Sequence, residues 1–315
     1  MNGLRWKLKW VVKAVTPPIL LLLVKVVSIK LGLRKPDAKP EPVPAPEPEG
    51  EPEWEYVPEG WARTASDPSV KGWDVDAVAN AYREKWPAFA RALQGARPLG
   101  VYHEIGAGEQ ITGEDAAAHN LVVTFAYVAA LAAHGKRRLT FLDWGGGLGH
   151  YGLIARAVLP VEVDYHCREV PHIAAVGREA GAEGRYVSDD TWADRTYDLV
   201  MASGSLQYAE DWRAQLADLA RVCGGYLYVT RLPYASSSPS FHILQRAYRY
   251  GYETEYVGWV VSRDELLAHA RALGLELVRE FVIDAWLSAP GAPEDPIGHR
   301  GFLFTAGRAR QAMAA

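Results

Sequence analysis

From residue 138 onward the chain alternates short apolar runs with helical stretches, and this alternation constrains the fold more than any other feature. The runs cover residues 139–143, 161–167, 185–187, 197–202, 225–230, 275–282 and 301–306. Strands separated by helices imply βαβ units and a doubly wound, mostly parallel sheet. The last two runs predict an antiparallel hairpin at one edge. No fixed-period repeat is evident, so a solenoid is not supported. With 315 residues, 49% of them hydrophobic and 23% charged, the composition is that of a globular chain with room for a large core.

Residues 54–138 predict a helical cap ahead of the sheet, rich in tryptophan (Trp54, Trp61, Trp73, Trp86). Apolar residues at helical spacing over 75–93 predict one helix with Asp74 as its N-cap. A second helix, over 113–134, is apolar on most sides and is expected to be largely buried, ending at Gly135 and a basic Lys-Arg-Arg run. The sheet domain then runs over 139–307, with a short tail over 308–315.

The chemistry concentrates in LTFLDWGGGLGHYG, which joins the first predicted strand to a predicted helix. Asp143 closes the strand, and Gly145, Gly147 and Gly149 follow at every second position. Glycines there let the backbone turn tightly and approach a ligand, while the helix offers free N–H groups and the positive end of its dipole to an anion. Ligands of such sheets bind beyond the carboxyl ends of the strands, so a nucleotide-like cofactor is the expected occupant. A dinucleotide fingerprint needs glycine or alanine where His150 stands in the frame from Gly145, which weakens a nicotinamide reading.

An acid at the end of the first strand followed by alternating glycines resembles motif I of class I S-adenosylmethionine-dependent methyltransferases. The strings GVYHE, AAHN, LDWGGGLGHY, YDLVMASGSLQY, YLYVTRLPY and GYETEYVGW together resemble a bacterial family of methyltransferases commonly placed among cell-surface polysaccharide biosynthesis genes, over residues 54–304. The resemblance implies a Rossmann-like class I fold and S-adenosyl-L-methionine as cofactor, with Asp143 and the glycine turn holding its methionine portion. Glu169 follows the second strand, where an acid accepts hydrogen bonds from both ribose hydroxyls. Asp189 and Asp190 follow the third, where the family places an adenine contact. Ser203, with Ser205 and Gln207, follows the fourth, near the reacting methyl group.

Methyl transfer from a sulfonium is an in-line displacement, in which alignment supplies much and a base is needed chiefly for a hydroxyl acceptor. Histidine suits that task, and the catalytic candidates are His103, beside Glu104 in GVYHE, and His150 at the turn. A structural reading stays open for each, a loop-ordering hydrogen bond for His103 and a capping or packing role for His150. His119 reads as a core or supporting histidine. His103-Glu104 does not start an HExxH site, because Ala107 occupies the place of the second histidine, and no metal is expected. Arg231, after the fifth strand, suits an anionic sugar or phosphate, or else an ion pair with a neighbouring loop. Residues 236–259 interrupt the sheet with a run of three consecutive serines, Tyr248, Tyr250, Tyr252, Tyr256 and Trp259, and predict a lid or acceptor wall. Glu104, Arg231, Tyr252 and Trp259 are the acceptor-side candidates.

The net charge of -4 hides an asymmetry, since residues 1–35 hold eight bases and no acid, which leaves -12 for the remainder. These bases interleave with Leu4, Trp6, Leu8 and Trp10, which suits a membrane surface. The longest charge-free run there, residues 14–24, is too short for a span and is broken by Pro17 and Pro18. Residues 36–53 carry seven prolines and six acids, a semi-rigid acidic tether. The acidic remainder excludes a nucleic-acid footprint on the folded part. Cys167 and Cys223 are too few and too far apart for a disulfide framework. Taken with what the family resemblance implies, these features lead to the expectation of a cytoplasmic protein lying on the cytoplasmic membrane, methylating a hydroxyl of an envelope glycan or of its lipid-linked precursor. A non-catalytic S-adenosylmethionine-binding or scaffolding module and, more remotely, a nicotinamide-dependent oxidoreductase remain alternatives, and the oligomeric state stays open.

Overall fold

Apolar side chains alternate between two faces along each central strand, as they must when helices cover both sides of a sheet. The computed structural model describes residues 51–101, 115–180 and 184–306. The chain divides into Met1–Glu51 and Pro52–Ala315, and every element below lies in the second unit. The basic head, nearly all of the tether, the tail, His103 and Glu104 lie outside the described residues.

In chain order the elements are β1 (Trp54–Tyr56), α1 (Ala62–Ser66), α2 (Asp76–Leu93), α3 (Ala116–Ala133), β2 (Arg138–Trp144), α4 (His150–Val158), β3 (Glu162–Arg168), α5 (Pro171–Glu179) and β4 (Arg185–Val187). There follow β5 (Tyr197–Ser203), α6 (Trp212–Val222), β6 (Cys223–Ala235), β7 (Phe241–Arg246), β8 (Glu255–Ser262), α7 (Arg263–Ala272), β9 (Leu275–Leu287) and β10 (Ile297–Ala306). Strands β4-β3-β2-β5-β6 pair in parallel, β10 lies antiparallel on β6, and β9 lies antiparallel on β10 at the edge. This is the Rossmann-like class I sheet with its expected edge hairpin. Phe141, Leu199, Met201 and Tyr228 pack with α2, α3, α4 and α5, whereas Leu142, Val200, Leu227 and Val229 pack with α6 and α7. Phe125 and Phe141 are fully buried, and each such side chain stabilises the fold by about 1.5–3 kcal/mol.

Four expectations are corrected. Residues 54–56 are a strand rather than part of a helical cap, pairing antiparallel with β7 through Trp54↔Gln245 and Tyr56↔Ile243. Asp74 does not cap α2, whose N-cap is Val75; its carboxylate instead accepts hydrogen bonds from the backbone N–H (3.0 Å) and Nδ1 (2.8 Å) of His172. Helix α3 is capped by Asp115, which accepts from the Ala118 N–H, and it leaves Val123 and Tyr127 exposed. By length and composition α3 alone among the described helices could cross a bilayer, yet it packs on the sheet through Phe125, Val128 and Ala132. Finally, residues 236–259 do not interrupt the sheet but extend it. Strands β7 and β8 pair antiparallel, and β8 joins the far end of β6 in parallel through Tyr234↔Val261 and Ala235↔Ser262. The thirteen-residue β6 therefore changes partner along one edge, from β5 to β8.

Candidate functional site

A run of Gly145, Gly146, Gly147 and Gly149 between β2 and α4 dictates the local shape. Gly145, Gly147 and Gly149 have φ of 72°, 59° and 89°, a region that costs any other residue strain. Gly146 is required by close approach instead, because a Cβ there would fall 2.6 Å from Asp143 Cγ. The turn is thereby wrapped over the carboxyl of Asp143, which is fully buried. Its Oδ2 accepts a hydrogen bond from the Tyr165 hydroxyl at 2.9 Å, and its Oδ1 has no partner. Burial pushes this carboxyl up to about 7, the Tyr165 hydrogen bond works against the rise, and the charge of Glu169 adds to it.

Glu169 follows β3 and is also buried, which raises its pKa. Its two oxygens accept from the backbone N–H groups of Gly147 (2.9 Å) and Val170 (2.8 Å), tying the acid to the glycine turn. Next to it Arg168 lays its guanidinium over the Trp144 ring at 5.6 Å.

A cavity of about 400 Å³ opens beyond the carboxyl ends of β2, β3, β5 and β6, where a doubly wound sheet binds its ligands. Trp144, Gly145, Arg168 and Glu169 line one side, and Ser203, Gly204, Ser205 and Arg231 line its floor. Ser203 shares a hydrogen bond with the Tyr151 hydroxyl (3.2 Å), and the Ser205 hydroxyl donates to the Trp144 carbonyl (2.7 Å). The opposite side is aromatic: Trp73, Tyr82, Tyr208, Tyr250, Tyr252 and Tyr256. Trp73 stacks on Tyr256 (4.3 Å, 9°), and Tyr82 stacks on Tyr252 (6.0 Å, 8°), so the rings brace one another. The Tyr208 hydroxyl donates to Gln245 Oε1 at 2.9 Å, and Glu53 Oε1 accepts from both Gln245 Nε2 (3.1 Å) and the Tyr250 hydroxyl (2.7 Å).

Of the residues read from the sequence, Gly145, Glu169, Ser203, Ser205, Arg231, Tyr250, Tyr252 and Tyr256 line this cavity. Asp143 lies beneath the turn, and Gly147 and Gly149 shape it from outside the lining. Asp189 and Asp190 stand after β4, exposed and away from the cavity, and Asp189 accepts hydrogen bonds from the N–H and hydroxyl of Thr191. His150 does not line the cavity; its ring meets Trp86 (5.1 Å) and Phe89 (4.5 Å) of α2 edge-on. Burial, assisted by the charge of Arg231, depresses its pKa to about 3, so it is a neutral packing residue and not a proton acceptor near neutrality. Trp259 lies on the other face of β8 from Tyr256, its ring tilted against His242 at 3.7 Å, and its indole N–H donates to the Glu210 carbonyl. His119 is exposed, with Nδ1 3.1 Å from the Leu99 carbonyl oxygen. Sequence reasoning missed Trp73, Tyr82, Arg168, Tyr208 and Gln245 as lining residues. The tryptophan-rich stretch containing Trp73 was visible, but nothing local says that it folds back onto a strand end.

The residues present fit an adenosyl cofactor. A buried acid with an unpartnered oxygen underlies a glycine cradle that any Cβ would fill, and a second carboxylate faces the cavity beside it.

No family model and no curated protein matches the chain. Among solved structures it is similar to a magnesium protoporphyrin IX methyltransferase from Synechocystis with bound SAM, at 14% identity and a TM-score of 0.44, covering 73% of this chain and 97% of that one. It is also similar to an amino pentose methyltransferase from Micromonospora echinaspora with bound SAM, at 16% identity and a TM-score of 0.40, covering 60% and 91%. A third is the Burkholderia thailandensis 1,6-didemethyltoxoflavin-N1-methyltransferase with its acceptor and S-adenosylhomocysteine, at 16% identity and a TM-score of 0.41, covering 71% and 90%. The functional reading rests on this chain's own residues.

Proposed function

We propose that this chain is an S-adenosylmethionine-dependent methyltransferase acting on a hydroxyl of a cell-envelope glycan or of its lipid-linked precursor. The observation that carries the reading is the continuity of one cavity: the acid-backed glycine turn forms one side, and braced aromatic rings form the other. When bound, the cofactor supplies an electrophilic methyl group on sulfur. Glu169 holds the ribose hydroxyls, the positive end of the α4 dipole favours the carboxylate end, and Asp143 fixes the turn from below. The aromatic side takes a sugar ring on its π faces and excludes water, so that the acceptor oxygen meets the methyl in line. In-line transfer gains chiefly from this alignment. His103, outside the described residues, remains the proposed proton acceptor.

The basic head and acidic tether favour an enzyme held at the cytoplasmic face of the membrane, where lipid-linked glycans are presented. Flotation of the protein with anionic vesicles, with and without residues 1–35, tests this; equal flotation removes the anchor. Calorimetric titration with S-adenosylmethionine, S-adenosylhomocysteine and NAD tests the cofactor. Both adenosyl ligands should bind, and Glu169→Ala should lower their affinity at least ten-fold, since hydrogen bonds to a charged group contribute about 1.5–3 kcal/mol. Binding of NAD alone overturns the reading, and binding of none favours a scaffold.

A further inference from the structure

Glu53 closes the acidic stretch of the chain and is fastened to β7 just before β1 begins. Its backbone carbonyl accepts the Arg246 N–H at 2.7 Å, and the Pro52 carbonyl accepts from Arg246 Nη1 at 3.1 Å. The carboxylate makes a second set of contacts. Its Oε1 accepts from Gln245 Nε2 (3.1 Å) and from the Tyr250 hydroxyl (2.7 Å), and its Oε2 lies 3.5 Å from Arg249 Nη1.

Two branches start from that one oxygen. A buried glutamine amide can be held in either orientation, but a carboxylate only accepts, so Gln245 must turn Nε2 to Glu53 and Oε1 to Tyr208. The Tyr208 hydroxyl donates to that Oε1 at 2.9 Å, and its ring meets Trp73 (5.1 Å, 66°) and Tyr256 (5.3 Å, 70°) edge-on. The other branch runs through Tyr250, whose ring lies 5.8 Å from that of Tyr252, itself stacked on Tyr82. All six rings of the aromatic side are thereby tied to one carboxylate oxygen, although Glu53 does not itself line the cavity.

The rest of the site has its own supports. The Arg246 bond needs no side chain on residue 53, and Lys85 donates to the Tyr250 carbonyl at 3.2 Å and lies over the Tyr252 ring at 4.8 Å. On the cofactor side, Gly147 is held by Glu169 and Ser205 by the Trp144 carbonyl. Removing the carboxylate therefore leaves the chain path and the glycine turn in place, while the Gln245 amide loses the contact that orients it and the Tyr250 hydroxyl loses this acceptor.

We propose that Glu53 is a positioning residue for the acceptor, acting through Gln245 and Tyr250 to hold the aromatic side in the arrangement that receives a sugar ring. This rests on the methyltransferase reading above, and it makes the first residues of the folded unit a determinant of which acceptor is taken.

The test is calorimetric titration of the full chain with glucose, galactose and N-acetylglucosamine, and separately with S-adenosylhomocysteine, for the native protein, Glu53→Ala, Glu53→Gln, Tyr250→Phe and Glu55→Ala. The native protein should bind at least one of the sugars. Glu53→Ala should weaken that binding about five-fold or more, the loss of one hydrogen bond's worth, and leave S-adenosylhomocysteine affinity within about two-fold. Glutamine keeps an acceptor oxygen, so Glu53→Gln should restore sugar binding, and Tyr250→Phe, which breaks one branch alone, should show part of the loss. Glu55 lies on the same strand and pairs with Arg246 and Arg63, so Glu55→Ala should lower the thermal midpoint and leave both affinities unchanged. Sugar binding that persists in Glu53→Ala, that falls together with S-adenosylhomocysteine binding, that falls equally in Glu55→Ala, or that Glu53→Gln does not restore overturns the proposal. So does a native protein that binds none of the sugars, or a Tyr250→Phe variant with no loss. A native protein that binds sugar in this Glu53-dependent way but does not bind S-adenosylhomocysteine sinks the methyltransferase reading instead.

Discussion

Replacing Asp143 by asparagine should stabilise the protein above neutral pH and leave it almost unchanged in acid. The native carboxyl has its pKa raised from 3.8 to about 7 by burial, whereas in the unfolded chain it ionises at the ordinary value. Between those values the folded state binds more protons, so this group's contribution is fully present below 3.8 and is lost as pH rises through about 7. At about 1.4 kcal/mol per pKa unit the whole effect is about 4 kcal/mol, of which about 3 kcal/mol falls between pH 4.5 and 8. His150 acts with the opposite sign. Its pKa falls from 6.5 to about 3, so the folded state refuses a proton that the unfolded chain takes, and stability is lost as pH drops below 6.5. Over their shared window the two slopes cancel, and the native protein hides both. Asparagine keeps an acceptor for the Tyr165 hydroxyl and mimics the protonated acid, so the variant should lose the Asp143 slope, and its stability relative to the native protein should rise by about 1.4 kcal/mol per pH unit up to about pH 7. Urea unfolding at 25 °C from pH 4.5 to 8, without ligand, measures both proteins. A difference between variant and native that stays constant across this range, or shrinks with rising pH, refutes the reasoning.

Gly146→Ala would drive a methyl group to within 2.7 Å of Asp143 Oδ2, so the turn must shift; a loss of about 1–3 kcal/mol in unfolding free energy and at least ten-fold weaker S-adenosylhomocysteine binding by calorimetry are expected. Glu53→Ala removes the acceptor of Gln245 and Tyr250 and the ion pair with Arg249, costing about 1–2 kcal/mol in urea unfolding, with Glu53→Gln restoring most of it. Tyr252→Leu should weaken binding of sugar probes while S-adenosylhomocysteine affinity is kept. Trp259→Leu, on the far face of β8, should leave both affinities unchanged and lower the thermal midpoint through lost ring contacts with His242 and Trp61.

Strands β2, β5 and β6 were legible because each carries apolar residues on both faces, which few other arrangements produce. β1, β7 and β8 were not, and the reason lies in their partners. Residues 54–56 pair with 243–245, nearly the whole domain away in sequence, so nothing local marks them as a strand. The tyrosines of 248–256 suggested a lid, and only long-range pairing with β7 and with the end of β6 makes the chain from Glu255 onward a strand. The glycine turn was legible because its backbone demands glycine whatever surrounds it. Side-chain direction was less so. His150 stands next to the turn in sequence, yet it opens α4 and points at Trp86 and Phe89. Tyr256 and Trp259 are three apart on one strand, and that odd spacing sends the first to the cavity and the second away from it.

The two sides of the cavity answer to different constraints. The cofactor side is built from consecutive strand ends whose hydrogen bonds are mostly backbone, Gly145 N–H to the Arg168 carbonyl and Gly147 N–H to Glu169 among them, so its geometry follows from the sheet itself. The aromatic side gathers Trp73, Tyr82, Tyr208 and the 250–256 stretch, segments joined by ring stacking, by the acceptors Gln245 and Glu53, and by hydrogen bonds from the Gly72 N–H to the Glu255 carbonyl and from Lys85 to the Tyr250 carbonyl. Side chains there can be exchanged one at a time without disturbing the turn, which is the freedom a fold needs if one cofactor is to serve many acceptors. Strand β6 belongs to both sides, paired with β5 up to Thr230 and with β8 from Tyr234. A residue in that interval feels both the fixed half of the cavity and the exchangeable half, and Arg231 holds it at the cost of a strained backbone, which its replacement by glycine should relieve.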